Sequence, residues 1–324
     1  DRMLTFGFEM PHFTLADTPD SLVPELARFG RIGVDTEFMR AKTYFAELCL
    51  VQVAGTDRVL IADPQSADVM DEFWDALLGI PWVLHSGRQD IEVIYQTAGR
   101  MPSQVFDTQV AAGLLGHPPQ MGYATLVNEF FGVELDKSHT RADWSRRPLS
   151  DALLHYAAED VEHLLPAYDK LAEQLDKKGR LAWAEEDSAL LLDTALYDMH
   201  PEQAIGRLKG ARNLRGKRRA AAARLAEWRE TEALRANRPR QWIARDNVLI
   251  DLATRLPKST RELEHIDGLP GGLIRRSGQR IISAIAASTS DNNAYSPPKA
   301  PDETQKSLLK SMQKKVAECA ADLG

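Results

Sequence analysis

Cysteine is nearly absent: the 324 residues hold two, Cys49 and Cys319. They stand far apart with no C-x-x-C pair, which excludes a disulfide framework and a cysteine zinc site and fits a reducing cytoplasm. No apolar run approaches the ~20 residues that a membrane helix needs. No basic segment followed by an apolar one opens the chain, so no secretory signal is legible. The eight histidines form no H-x-x-x-H pair, which removes the commonest histidine metal motif. The chain begins at Asp1; residues 1–10 read as a cloning remnant or an upstream extension, with Met10 a candidate natural start.

What is present is charge, unevenly spread. The formal net charge of −7 is the sum of unlike parts. Residues 1–200 hold 16 basic and 33 acidic side chains, whereas residues 201–290 hold 19 basic and nine acidic. An acidic module joined to a basic one implies that the basic part meets a polyanion. At 44% hydrophobic and 27% charged the chain has the composition of an ordinary globular protein. At ~150 residues per domain its length predicts two domains.

Patterning divides the chain in the same place. Arg31–Phe38, Glu47–Val53, Val59–Ala62 and Trp82–Leu84 are short, β-branched and apolar, and predict strands; Met70–Leu78 and Asp90–Thr97 predict amphipathic helices. Alternation of this kind predicts an α/β layer with helices packed on a sheet. Gly116–Tyr123 is a breaker-rich loop and Lys137–Pro148 an ordered polar loop; helix is expected from Leu149 through about Leu192. From Pro201 to about Ala287 every pattern is helical, broken by Pro239, Pro257 and Pro270, which predicts a small separate bundle. The stretch 289–303 reads as a linker and 304–324 as the first helix of a further domain.

Several carboxylates carry chemistry if they meet. Asp35 and Glu37 lie two apart in a strand and so share one face, while Val34, Thr36 and Phe38 take the other. For an isolated D-x-E a solvated strand face is the better reading; in a central apolar strand the two acids need cations or hydrogen bonds. Asp90 begins a helix, where by itself it would serve the helix N-terminus. Tyr156 and Asp160 stand one helical turn apart; singly they read as a packing residue and a surface charge. Together, four carboxylates in sensible settings can enclose two Mg²⁺ or Mn²⁺ ions, hard cations that prefer oxygen. Such a pair serves phosphodiester hydrolysis, with the Tyr156 hydroxyl orienting the attacking water.

These segments resemble the DEDD superfamily of 3′→5′ exonucleases, in the subgroup with tyrosine in its third motif, and within it the ribonuclease D family. The motifs are Val34-Asp-Thr-Glu-Phe38, His85-Ser-Gly-Arg-Gln-Asp90 and Tyr156-Ala-Ala-Glu-Asp160, with Phe106-Asp-Thr108 and the Asp143-Trp144…Arg147-Pro148-Leu149 loop beside them. The resemblance covers about residues 11–175 and implies an RNase H-like mixed sheet. It implies Asp35, Glu37, Asp90 and Asp160 as metal ligands for two divalent cations, Mg or Mn, and Tyr156 as the water-positioning residue. Around them, Thr36 is a candidate donor to the terminal nucleotide, and Lys137, Arg141, Arg146 and Arg147 are candidate phosphate contacts, weighed evenly against a solvated loop. Trp144 stacks on a base or pins its loop, with pinning favoured. Asp107, His85 and Gln52 read as structural, Gln52 as a satisfied buried polar group.

In the basic half, Arg207, Lys209, Arg212, Arg215, Lys217, Arg218 and Arg219 fall within thirteen residues that include no acid. A charge run is usually a solvated face, but phosphate contacts supply most nonspecific nucleic-acid affinity. The pattern from Leu225-x-x-Trp228-Arg229 to Ile266-x-Gly268-Leu269 resembles the HRDC domain, over about residues 205–288 and joined to the nuclease by a connecting helix over 176–204. Trp228 and Trp242 read as core. The expected function is 3′→5′ trimming of RNA that releases nucleoside 5′-monophosphates, with tRNA precursors as the substrate the resemblance implies. A DNA-directed exonuclease of the same superfamily is the alternative, because RNA is distinguished by 2′-OH contacts that no motif reports. A noncatalytic RNA-binding scaffold is disfavoured because all four carboxylates are present. No membrane and no protein partner is implied.

Overall fold

The computed structural model describes residues 13–16, 18–66, 70–136, 139, 142–288 and 300–323. The expectations for residues 1–10, for Lys137 and Arg141, and for most of the 289–303 linker lie outside the described residues. The chain divides into two compact units, Asp1–Met39 with Ala46–Asp198, and Arg40–Phe45 with Met199–Gly324.

The first unit is built on β1 (Phe13–Ala16), β2 (Ile32–Met39), β3 (Glu47–Ala54), β4 (Val59–Ala62), β5 (Trp82–Leu84) and β6 (Val105–Asp107). They form one mixed sheet in the order β1-β4-β3-β2-β5-β6. β2 and β3 pair antiparallel, as do β3 and β4; β1 runs parallel to β4, and β5 runs parallel to both β2 and β6. β3 is covered on both faces, which is why its sequence reads as a continuous apolar run instead of alternating. The helices of this unit are α1 (Val23–Leu26), α2 (Asp71–Gly79), α3 (Arg88–Ala98), α4 (Thr108–Leu114), α5 (Tyr123–Phe131), α6 (Asp151–Glu162), α7 (Leu164–Lys177) and α8 (Leu181–Ala189).

One sheet face packs Val34, Val51, Val53 and Leu60 against Phe73, Leu77, Ile91 and Ile94 of α2 and α3. The other packs Leu50, Ala54 and Ile61 against Leu154, Ala157 and Val161 of α6. Gly33 allows close approach at the second face: a Cβ there would lie 2.9 Å from the Leu164 Cβ. The helix expected from Leu149 to Leu192 is in fact three helices, with breaks at His163 and at 178–180, where Gly179 takes a left-handed φ of 65°.

The second unit holds 3-10 turns at Pro201–Arg207 and Ala211–Asn213, then α9 (Gly216–Ala236), α10 (Arg240–Ile243), α11 (Asp246–Arg255), α12 (Thr260–Leu263), α13 (Gly271–Ala287) and α14 (Glu303–Leu323). Leu225, Ala226, Leu249, Leu252, Leu263 and Ile281 make its core. Within this unit the Tyr44 hydroxyl lies 2.5 Å from the buried Glu230 carboxylate, and the backbone N–H groups of Tyr44 and Phe45 donate to the Asn237 side chain. Trp228 is in the core, but Trp242 is not: it is 61% exposed, contrary to the sequence expectation. No described helix is long and apolar enough to cross a membrane.

Candidate active site

β2 delivers Asp35 and Glu37 to the sheet face covered by α6, because their cross-strand partners Gln52 and Leu50 belong to that face. β2 pairs with β5 through Ile32 and Gly33, and the pairing ends two residues short of Asp35. The chain leaving β5 turns at Ser86–Gly87 into α3, whose first turn carries Asp90 to Thr36 of β2. Its backbone is demanding. Ser86 sits at a left-handed φ of 58°, and a Cβ on Gly87 would lie 2.6 Å from the Leu84 Cβ.

Asp107, at the end of β6, holds this turn. Its carboxylate accepts from the Ser86 and Gly87 N–H groups at 3.0 and 2.9 Å, and from Gln109 N–H at 2.8 Å at the start of α4. Asp90 then accepts from the Thr36 hydroxyl at 2.6 Å. From the other side, α6 begins with a Ser150 cap and brings Tyr156 and Asp160 to the acids, with a hydrogen bond from Tyr156 to Asp160.

The four carboxylates are mutually repulsive. Burial, reinforced by Asp90, Asp160 and Glu37, holds Asp35 well above the usual carboxylate range. Burial, then repulsion from Asp160 and Asp90, pushes Glu37 up to about 8. Burial pushes Asp160 up to about 7 against the hydrogen bond from Tyr156. Burial raises Asp90, with the Thr36 hydrogen bond opposing it. Among the described residues no group of three or more His, Cys, Asp or Glu side chains is arranged to hold a metal ion. The acids instead face one another at electrostatic range. The donor set fits hard divalent cations all the same: it is all carboxylate oxygen, buried, and stabilised in its charged form by any added cation.

The surrounding candidates separate. Thr36 is buried with its hydroxyl engaged by Asp90, so that group is not presented to a nucleotide. Arg147 forms a two-pronged pair with Asp63, at 2.5 and 2.7 Å, and donates to the Cys49 and Trp144 carbonyls; it closes a structural bridge and is not a free phosphate contact. Trp144 is 3% exposed and packs at a tilt against Tyr156, ring centroids 6.2 Å apart, so it pins the loop and is closed to stacking on a base. Arg146 is exposed and pairs with Asp143 at 3.2 Å. His85 places its ring nitrogens 2.9 Å from the Thr108 hydroxyl and 2.8 Å from the Met121 carbonyl, a core histidine.

Gln52 differs from its expectation: fully buried opposite Asp35, it has no partner for either amide atom among the described residues. Tyr123 was not singled out by the sequence. Its buried hydroxyl accepts from His163 N–H at 3.1 Å, and Asp160 and Asp35 lie close enough to raise its pKa, after burial. A lone Tyr after a glycine gives no sequence signal of this. In the second unit Arg207 pairs with Glu230 at 2.9 Å, Arg215 and Arg219 donate to the carbonyls of 212 and 214, and Lys209, Arg212, Lys217 and Arg218 make no ion pair among the described residues.

Comparison with known proteins gives these features a class. Residues 12–176 match the 3′-5′ exonuclease family and residues 218–285 the HRDC domain, so the chain is a 3′→5′ exonuclease with an HRDC module. Ribonuclease D of Acidiphilium cryptum is 40% identical over 307 residues, covering 91% of this chain and 77% of the relative. Ribonuclease D of Granulibacter bethesdensis is 41% identical over 273 residues, covering 82% and 68%. The crystal structure of Escherichia coli RNase D, described as an exoribonuclease involved in structured RNA processing, aligns with a TM-score of 0.85 at 28% identity, over 96% of this chain and 85% of that one. The chain belongs to the ribonuclease D family, whose members are 3′→5′ exoribonucleases.

Proposed function

We propose that Asp35, Glu37, Asp90 and Asp160 hold two divalent cations, Mg²⁺ or Mn²⁺, and that the protein trims tRNA precursors from the 3′ end, releasing nucleoside 5′-monophosphates in the cytoplasm. The observation that carries this reading is the convergence, within electrostatic range, of four acids from β2, α3 and α6, each raised by burial, with Asp90, Asp160 and Glu37 repelling Asp35. Bound cations would supply an activated water and neutralise the departing 3′-oxygen.

The chain's own residues do the rest. Asp35 and Glu37 are fixed by the β2–β3 register, and Asp90 by Thr36 and by the turn that Asp107 clamps. Tyr156 stands one turn before Asp160 and orients the attacking water with its hydroxyl. The exposed cations of the second unit, Lys209, Arg212, Lys217 and Arg218, hold the RNA backbone.

The test is digestion of a 3′-extended tRNA with Mg²⁺, Mn²⁺ or EDTA, read at nucleotide resolution. Stepwise 3′ shortening with either metal, abolished by EDTA and by Asp35→Asn, is expected. Equal shortening by wild type and Asp35→Asn would remove the acids from the reaction, and shortening of matched DNA alone would move the substrate to DNA.

A further inference from the structure

Trp242 is the one large aromatic of the second unit whose ring stands mainly in solvent among the described residues, and Arg238, Arg240 and Arg245 flank it in the sequence. It lies on α10, a single helical turn that the bundle anchors on its other side: Ile243 packs on the core and Ala244 is 6% exposed. The adjacent Gln241 donates to Asp246 at 2.9 Å. The same Asp246 accepts from Arg229 at 2.6 Å and from the backbone N–H of Lys209 at 3.4 Å. Asp246 thus ties α10 to the segment Ile205–Asn213.

That segment encloses an open hollow of about 390 Å³, lined by Arg207, Lys209 and Arg212. Gly210, at a φ of 91°, makes the turn that opens it. A second tie runs through buried Glu230, which Arg207 meets at 2.9 Å and Arg240 of α10 at 3.7 Å. The guanidinium groups of Arg207, Arg229 and Arg240 meet these two carboxylates, while Lys209 and Arg212 make no ion pair among the described residues, which leaves an excess of positive charge on the segments that Asp246 and Glu230 tie to α10.

We propose that Trp242 and the Arg207–Asn213 hollow form one binding subsite for single-stranded RNA. One base stacks on the indole, and the flanking phosphates lie at Lys209 and Arg212. An indole in solvent offers an apolar face to any base without regard to sequence, and unpaired cations hold the backbone in the same way. This deepens the proposal that the basic unit holds RNA, and rests on it. It adds a contact of different physical origin, insensitive to salt.

The test uses the full chain in EDTA, so that no cleavage intervenes, with a fluorescein-labelled dodecamer of oligoadenylate and the same ribose-phosphate strand lacking bases. Trp242→Ala should weaken binding of the dodecamer about tenfold, Trp242→Phe should retain most of the affinity, and neither should change binding of the baseless strand. The slope of log affinity against log salt should be unchanged in Trp242→Ala and about one unit shallower in Arg212→Ala. The fluorescence difference between wild type and Trp242→Phe should be quenched by the dodecamer, a readout on folded protein even if the alanine variant is unstable. Wild-type affinity in Trp242→Ala with no quenching at Trp242 would overturn the stacking subsite while leaving the basic unit as the RNA holder. Affinity and salt slope unchanged in Arg212→Ala as well would overturn that broader reading too.

Discussion

At the scale of single residues, the site depends on side chains that do not themselves bear the chemistry. Thr36 keeps Asp90 chargeable by donating to it, and loss of that bond raises the Asp90 pKa further. Thr36→Val should therefore lower activity 10- to 100-fold and move the acid limb of the rate–pH profile upward, while Thr36→Ser restores both. A parallel drop with no movement of the limb would place Thr36 outside the electrostatics of Asp90. Gln52 makes the opposite prediction. Both amide atoms are buried without partners among the described residues, which costs free energy that an isosteric apolar side chain does not. Gln52→Leu should raise stability by up to about 1 kcal/mol in chemical denaturation; a loss of 1 kcal/mol or more would mean that the amide is bonded. Arg147 is bound at both prongs to Asp63, whose side chain is 4% exposed. Arg147→Ala leaves that carboxylate buried with no cation beside it, held only by the Gln65 N–H and the Ser66 hydroxyl, and should cost roughly 3 kcal/mol in the same measurement.

At the scale of elements, much of the fold was legible and the remainder was silent for physical reasons. β2, β3, β4 and β5 fall where their β-branched, apolar sequences put them, within a residue or so. β1 and β6 are four and three residues long and exist by pairing with β4 and β5, so their own residues carry no period to read. The motif acids were legible because each lies in a segment with a clear pattern. Arg147–Asp63 was not, because the partners are 84 positions apart. Trp242 was misplaced because α10 has four residues, too few for a helical period to say which side faces the core. The His85–Asp90 turn is an element whose geometry is set from outside, by Asp107. Asp107→Ala should release the Ser86 and Gly87 N–H groups and lower activity at least 10-fold, with the fold retained by circular dichroism. Wild-type activity in that variant would show that the turn holds itself.

At the scale of the whole molecule, the uneven charge acquires a pH dependence. In the metal-free protein Glu37 and Asp160 are raised to about 8 and about 7, from ordinary values of 4.5 and 3.8. A group raised in the folded state stabilises the fold below its unfolded pKa and loses that contribution as pH climbs through the folded one. EDTA-treated protein should therefore lose thermal stability between about pH 4 and pH 8, and added Mn²⁺ should restore more of it at pH 8 than at pH 6. A melting temperature that is flat or rising across that window would contradict the crowding of these acids.

The central claim is that the four acids form one cation site. Its most direct measurement is calorimetric titration of Mn²⁺ into EDTA-stripped protein at pH 8, wild type against Asp35→Asn and Asp160→Asn. The account predicts two ions per wild-type chain, bound with release of protons, and loss of at least one ion in each variant. The same stoichiometry and affinity in all three proteins would contradict it.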